Sequence, residues 1–266
     1  MLQALILALS LSAPFDFYGS GPYDPSIPKP ESLLGYGPGE RHTTFRDQEI
    51  VMNSIAKAGS ARIKEFVYGK STEGRPLRVF AISSPRNMAR LETIRSQIQN
   101  LSQGRGDVTA DLPAIVWINQ CIHGNETASF ESAMWLFYNL ASSKSLASTL
   151  DRTVVILNPV YNPDGHERFV VWFNSISRGS ADPRALEHNE PRFVHGRTNH
   201  YRFDMNRDRV AMSQVETQAE VAEFLKWMPQ VYVDQHGQVD TYFFPPTALA
   251  SNVNLDRNRV NKWMEV

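Results

Sequence analysis

The sequence predicts an α/β protein built on a mixed, largely parallel twisted sheet with helices on both faces. Apolar runs of strand length alternate with amphipathic stretches of helical length, the pattern of strand–helix–strand units. No internal repeat and no block of like charge interrupts the alternation. Three stretches rich in His, Asn, Asp and Glu directly follow predicted strands, and open α/β sheets bind ligands at the carboxyl ends of their strands. The chain's 266 residues, 42% hydrophobic and 21% charged, suffice to bury such a core.

The elements follow in order. Residues 1–13, "MLQALILALSLSA", have an apolar centre from Leu2 to Leu11 and then small residues. They read as a secretory signal, although no Lys or Arg precedes the apolar part. The stretch is shorter than the roughly 20 residues that cross a bilayer. The expectation is therefore no stable membrane span and a secreted or periplasmic protein. Residues 14–40, rich in Pro, Gly and Tyr, read as an arm or linker. From residue 41 to residue 266 the pattern is that of a folded domain. "FRDQEIVMNSIAKA" predicts a helix with Ile50, Ile55 and Ala58 on its apolar side. "RIKEFVYGKSTEGRPLRVFAISS" predicts two strands around a turn at Glu73–Pro76. "ARLETIRSQIQNL" is an amphipathic helix and "PAIVWINQCI" a strand. "ETASFESAMWLFYNLAS" is a helix, "TVVILNPV" a buried strand, "SQVETQAEVAEFLKWM" a helix and "QVYVDQH" a strand.

Composition narrows the function. A net charge of −1 gives no electrostatic reason to expect nucleic acid as a partner. The single cysteine, Cys121, rules out an internal disulfide framework and any Cys-rich zinc site. It lies in an apolar run and reads as a buried structural thiol. Any metal must therefore be held by His and carboxylates.

"NQCIHGNETAS" (119–129) supplies the first candidates. His123 ends a predicted strand and Glu126 opens the next helix, so both can face one ion. A catalytic zinc takes three protein ligands and keeps one position open, with His₂Glu a recurring set. His236, at the end of another predicted strand, is the best third ligand. The other histidines (42, 166, 188, 195 and 200) fall in apparent loops or polar stretches. Taken singly, Glu126 also suits the positive end of its helix and His236 a hydrogen-bonded core histidine.

"HGNE", then "NPDG", then "GRTNHYRFDMNRD", then "DQHGQ" resemble, in order, the motifs of the zinc carboxypeptidase family. The upstream "YGKSTEGRPLRVFAISS" resembles the opening of that catalytic domain, so the likeness runs from about Arg41 to Val266. The resemblance implies one zinc ion per chain, held by His123, Glu126 and His236. It implies that Asn206 and Arg207 grip the free C-terminal carboxylate of a peptide or protein substrate. A guanidinium fork does this with two parallel charge-assisted hydrogen bonds. Asp204 resembles the acid that orients the first zinc histidine. Arg197, ten residues before Arg207, resembles the arginine that stabilises the tetrahedral oxyanion, with Arg178 and Arg202 as competitors. Losing one such donor costs about 2.7–4 kcal/mol of transition-state stabilisation.

Two departures qualify the likeness. Asn125 stands where the pancreatic members of the family have Arg. The family's general base is a Glu several dozen residues beyond the last zinc histidine, yet only 30 residues follow His236, with carboxylates at Asp240, Asp256 and Glu265. The domain is expected to lack its C-terminal part. The function expected is a zinc metallocarboxypeptidase, with a related zinc amide hydrolase (a deacylase or murein-peptide-trimming enzyme) or a non-catalytic zinc- or peptide-binding protein as alternatives.

Overall fold

A computed structural model describes residues 16–237 and 256–264. Its strands are β1 (Ile63–Lys70), β2 (Pro76–Ile82), β3 (Ala114–Gln120), β4 (Thr153–Asn158) and β5 (Val231–Gln235), forming one sheet in the order β1-β2-β4-β3-β5. The first helices are α1 (Pro30–Leu34), α2 (Phe45–Ala58), α3 (Pro85–Met88), α4 (Leu91–Ser102) and α5 (Thr127–Ser142). They are followed by α6 (Ala147–Arg152), α7 (Pro163–Ile176), α8 (Val215–Trp227) and α9 (Arg257–Met264).

The sheet is mixed. β1 pairs antiparallel with β2, and β2 with β4, whereas β3 runs parallel to both β4 and β5. The parallel share is thus half of the pairings, less than the alternation of strands and helices suggests. The reason is local. After Lys70 the chain reverses at once through a turn closed by Ser71 N to Arg75 O (2.8 Å) and Gly74 N to Ser71 O (2.9 Å). Such a tight reversal joins only antiparallel strands. The three strands followed by the chemically loaded stretches are the parallel ones, so Gln120, Asn158 and Gln235 end at one edge of the sheet.

Side chains alternate across that sheet. Phe80, Ile82, Val155 and Leu157 point to the face covered by α2 and α5, where they meet Met52, Ile55, Met134 and Phe137. Val79, Ala81, Val154 and Ile156, with Ile115 and Trp117 of β3, point to the face covered by α4 and α8, where Ile94, Ile98 and Trp227 meet them. Both faces are covered over the central strands β2, β4 and β3, as expected, while β5 and much of β1 are exposed among the described residues.

Two expectations are corrected. In α2 the buried side is Phe45, Gln48, Val51, Met52 and Ile55, while Ile50 is 45% exposed and Ala58 is exposed. A polar residue, Gln48, occupies the core-facing row because its Nε2 donates to the carbonyl of Phe130 (3.2 Å). The segment expected to be an arm lies against the body. Its tyrosines are the packing surface: Tyr18 and Tyr23 contact the Tyr138 ring, and Tyr23 Oη donates to Asn139 Oδ1 (2.8 Å). Ile27 is buried in the same core. The expected signal (1–13) and the carboxylates Asp240 and Glu265 lie outside the described residues, and Asp256 is exposed just before α9. Among the described residues, no helix is long and apolar enough to cross a membrane.

Candidate metal centre

Beyond β3 the chain turns sharply at Cys121, a left-handed residue (φ 57°) whose thiol is buried. Burial raises the thiol well above its ordinary pKa. The turn is stitched to the segment after β4 by backbone bonds from Tyr161 N to Gln120 O (2.9 Å) and from Asn162 N to Cys121 O (3.0 Å). The Asn162 side chain caps α7 through Gly165 N (2.9 Å) and donates to the carbonyls of Ile122 (3.3 Å) and Arg197 (3.1 Å). "HGNE", "NPDG" and "GRTN" therefore meet backbone to backbone. Glycine is required for this approach: a Cβ on Gly124 would lie 2.1 Å from His166 N, and one on Gly165 would lie 2.4 Å from Thr198 O.

Asp164 completes the bracket. It is buried, accepts Ser71 Oγ (2.7 Å) and Glu73 N (3.0 Å), and pairs with Arg75 (2.7 Å). The sequence places His166 in a loop; it is instead a fully buried residue of α7. Its ring nitrogens face the carbonyls of Gly124 (Nδ1, 3.0 Å) and Thr43 (Nε2, 2.9 Å). Burial outweighs these bonds and lowers its pKa to about 4.

Three of the candidate ligands converge. His123 Nδ1 lies 2.7 Å from Glu126 Oε1, and His236 Nδ1 lies 2.8 Å from Glu126 Oε2. One ligand atom from each residue falls within 4.8 Å of the others. Gly237 N also donates to Glu126 Oε2 (3.1 Å). His123 and Glu126 are buried, while His236 is open on one side with 36% of its side chain exposed. Burial alone would raise the Glu126 carboxyl, but the hydrogen bonds and charges of His123 and His236 outweigh it and hold the carboxyl at about 2.

The outer nitrogens of both imidazoles face carboxylates. His123 Nε2 is 3.1 Å from Asp204 Oδ1, and His236 Nε2 is 3.2 Å from Asp234 Oδ2. An Nε2–H donated to each acid leaves the Nδ1 lone pair of each ring directed at the common point, the tautomer a metal-binding histidine needs. Hydrogen bonds to Asp234 and then Glu126 raise the His236 pKa to about 10. Two imidazole nitrogens and one carboxylate on a partly open face fit zinc.

Arg197 joins this cluster: its Nε donates to Asp204 Oδ2 (3.0 Å), and its Nη1 lies 3.4 Å from Glu126 Oε1. Of its competitors, Arg202 lies elsewhere, donating to the carbonyls of Phe193 and Val194, both at 2.6 Å, and the backbone amide of Arg178 is bound to Glu187. Asn206 and Arg207 form a 3-10 turn with Met205, capped where Asp204 Oδ1 accepts Asn206 N (2.9 Å). Arg207 is exposed and donates to the carbonyl of Asn206 (2.9 Å) rather than to the cluster. Asn125 donates to Glu190 Oε2 (2.9 Å). Sequence reasoning misses Asp234, although side chains two residues apart on a strand share a face, and "DQH" carries that signal.

A family profile described as zinc carboxypeptidase matches residues 49–263. Carboxypeptidase 2 of Trichophyton rubrum is 28% identical over 153 residues, covering 53% of this chain and 24% of that protein. Carboxypeptidase 2 of Trichophyton tonsurans is 29% identical over 122 residues, covering 46% and 18%. The chain thus spans a quarter or less of the length of these relatives. In fold it is similar to the carboxypeptidase A of Helicoverpa armigera (TM-score 0.53, 15% identity, 78% of this chain and 51% of that one). It is likewise similar to a metallo-carboxypeptidase of Burkholderia cenocepacia (TM-score 0.50, 17% identity, 75% and 42%). With a match across most of its length and the family's motifs gathered around one point, the chain belongs to the zinc carboxypeptidase family.

Proposed function

We propose that this chain carries the centre of a zinc-dependent metallocarboxypeptidase, which hydrolyses the C-terminal peptide bond of a peptide or protein. The observation that supports it most is the convergence of the Nδ1 atoms of His123 and His236 on the Glu126 carboxylate, each ring backed by its own aspartate. When bound, the one zinc ion supplies Lewis-acid polarisation of the scissile carbonyl and a water with its pKa lowered to about 7.

The protein's own groups orient the ligands and bind the substrate. Asp204 bonds His123 and Arg197 through different oxygens, so a single carboxylate sets both a ligand and an oxyanion donor. Arg197 shares the negative charge that develops on the carbonyl oxygen. Asn206 and Arg207 hold the terminal carboxylate, and the exposure of Arg207 leaves its fork accessible to a ligand. Residues 1–13 support export of the protein, to the periplasm or outside the cell.

The test compares peptides with free and amidated C-termini, using the protein and its Arg207→Ala variant. Amidation should slow cleavage at least about a hundredfold, the scale of a lost charge-assisted pair, and Arg207→Ala should remove that discrimination. Equal turnover of both peptides by the unaltered enzyme would overturn the exopeptidase reading.

A further inference from the structure

Beside the metal centre lies a second cavity, of about 550 Å³. Aromatic rings form one wall. His42 packs edge-on against Phe173 (centroids 4.4 Å apart) and Phe169 (5.8 Å), and Phe169 meets Trp172 (5.6 Å). The lining also carries acceptors. Glu187, 7% exposed, accepts the backbone amides of Arg178 and Ser180. The bond from Arg178 N leads the effects that hold its carboxyl below the ordinary value, against the pull of burial. Glu190 accepts Asn125 Nδ2 (2.9 Å) and the amide of Gly196. Asn125 Oδ1 is buried and has no hydrogen-bond partner among the described residues. Among the described residues that line the cavity, none is a lysine or an arginine.

A lining that brings together aromatic rings, two carboxylates and an unpaired amide oxygen complements a positive charge. The place matters as well. Asn125 and Thr127 of the lining stand on either side of Glu126, and Glu190 holds the amide next to Arg197. Among the described residues of the lining, neither Asn206 nor Arg207 occurs. A peptide gripped by those two at its C-terminus would therefore bring other residues here. We propose that this cavity is a subsite for a lysine or arginine side chain of the substrate, upstream of the scissile bond. The upstream placement rests on the carboxypeptidase reading; the preference for a cation does not.

The whole 266-residue chain is titrated with Nα-acetyl-arginine amide, with Nα-acetyl-norleucine amide as control, by calorimetry and tryptophan fluorescence. Neither probe has a free carboxylate, so neither needs the clamp. The arginine probe should bind about tenfold more tightly than norleucine, the scale of a desolvated cation–π contact. Trp172→Leu and Glu190→Gln should each erase most of that difference, and His123→Ala should leave it intact. Equal binding of the two probes, or an unchanged preference in both pocket variants, would overturn the subsite. Peptides carrying arginine or norleucine upstream of the cleaved bond, given to the protein as a substrate, then test placement. Equal kcat/KM with selective probe binding would overturn the upstream assignment alone. Selective probe binding together with equal cleavage of free and amidated peptides would overturn the carboxypeptidase reading and leave the cavity's preference standing.

Discussion

Replacing Asp204 by Ala and by Asn should separate two jobs done by one carboxylate. Oδ1 faces His123 Nε2 (3.1 Å) and accepts Asn206 N (2.9 Å), while Oδ2 accepts Arg197 Nε (3.0 Å). Alanine removes the acceptor that fixes the His123 ring from its Nε2 side. Losing such a partner weakens metal binding about 10- to 100-fold, or about 1.4–2.7 kcal/mol. Asparagine keeps one acceptor oxygen, and two donors on the Oδ1 side against one on the other decide which way its amide turns. The oxygen stays with His123 and Asn206, and the amide NH₂ faces Arg197, donor against donor. Zinc affinity should then fall less than tenfold, while the freed Arg197 costs about 10²- to 10³-fold in kcat. Competition with a colorimetric chelator measures the first quantity, and steady-state peptide hydrolysis the second. If Asn lost as much zinc affinity as Ala, or if Ala bound zinc like the unaltered chain, the division of labour would be wrong.

Two further outcomes follow from buried groups that are not themselves proposed ligands. Burial pushes the Glu131 carboxyl up to about 7, against the pull of its bonds from Thr43 N (2.6 Å) and Oγ1 (2.8 Å). The folded value exceeds the unfolded one of about 4.3, so the folded state holds the extra proton between them and stability falls as pH rises through that window. Glu131→Gln should remove this loss, so urea melts should show it more stable than the unaltered chain by about 3 kcal/mol at pH 8 and about equal near pH 4; a gap that does not change with pH would contradict it. Cys121, buried with its thiol raised well above the ordinary range, should resist a thiol reagent until urea unfolds the chain. Rapid labelling of the native protein would show the thiol to be accessible.

The five strands and the helices α2, α4, α5 and α8 were legible because each run carries its own period, whereas α7 was not predicted; the β1–β2 turn was legible from its glycine, and Gly74 takes a positive φ there. The burial register of α2 was not, since Gln48 is buried only because a carbonyl of a distant helix accepts its amide. The packed N-terminal segment was obscured for a similar reason: its tyrosines have no period, and their partners lie over 100 residues away. At the site, His123, Glu126, His236, Asp204 and Arg197 meet as the motif order implies. His166 was invisible in that role, because nothing in "NPDGHERF" says that both ring nitrogens will find carbonyls of other segments. Arg207 stands apart from the cluster, consistent with a group that waits for a ligand's charge to order it.

The central claim is that His123, Glu126 and His236 hold one zinc ion. Calorimetric titration of the chelator-stripped chain with zinc tests it directly, with His123→Ala and His236→Ala run in parallel. The account predicts one ion per unaltered chain, with proton release as the carboxylate-bound imidazolium of His236 gives up its proton, and affinity reduced at least about a hundredfold in each variant. Unchanged affinity in both variants would contradict it.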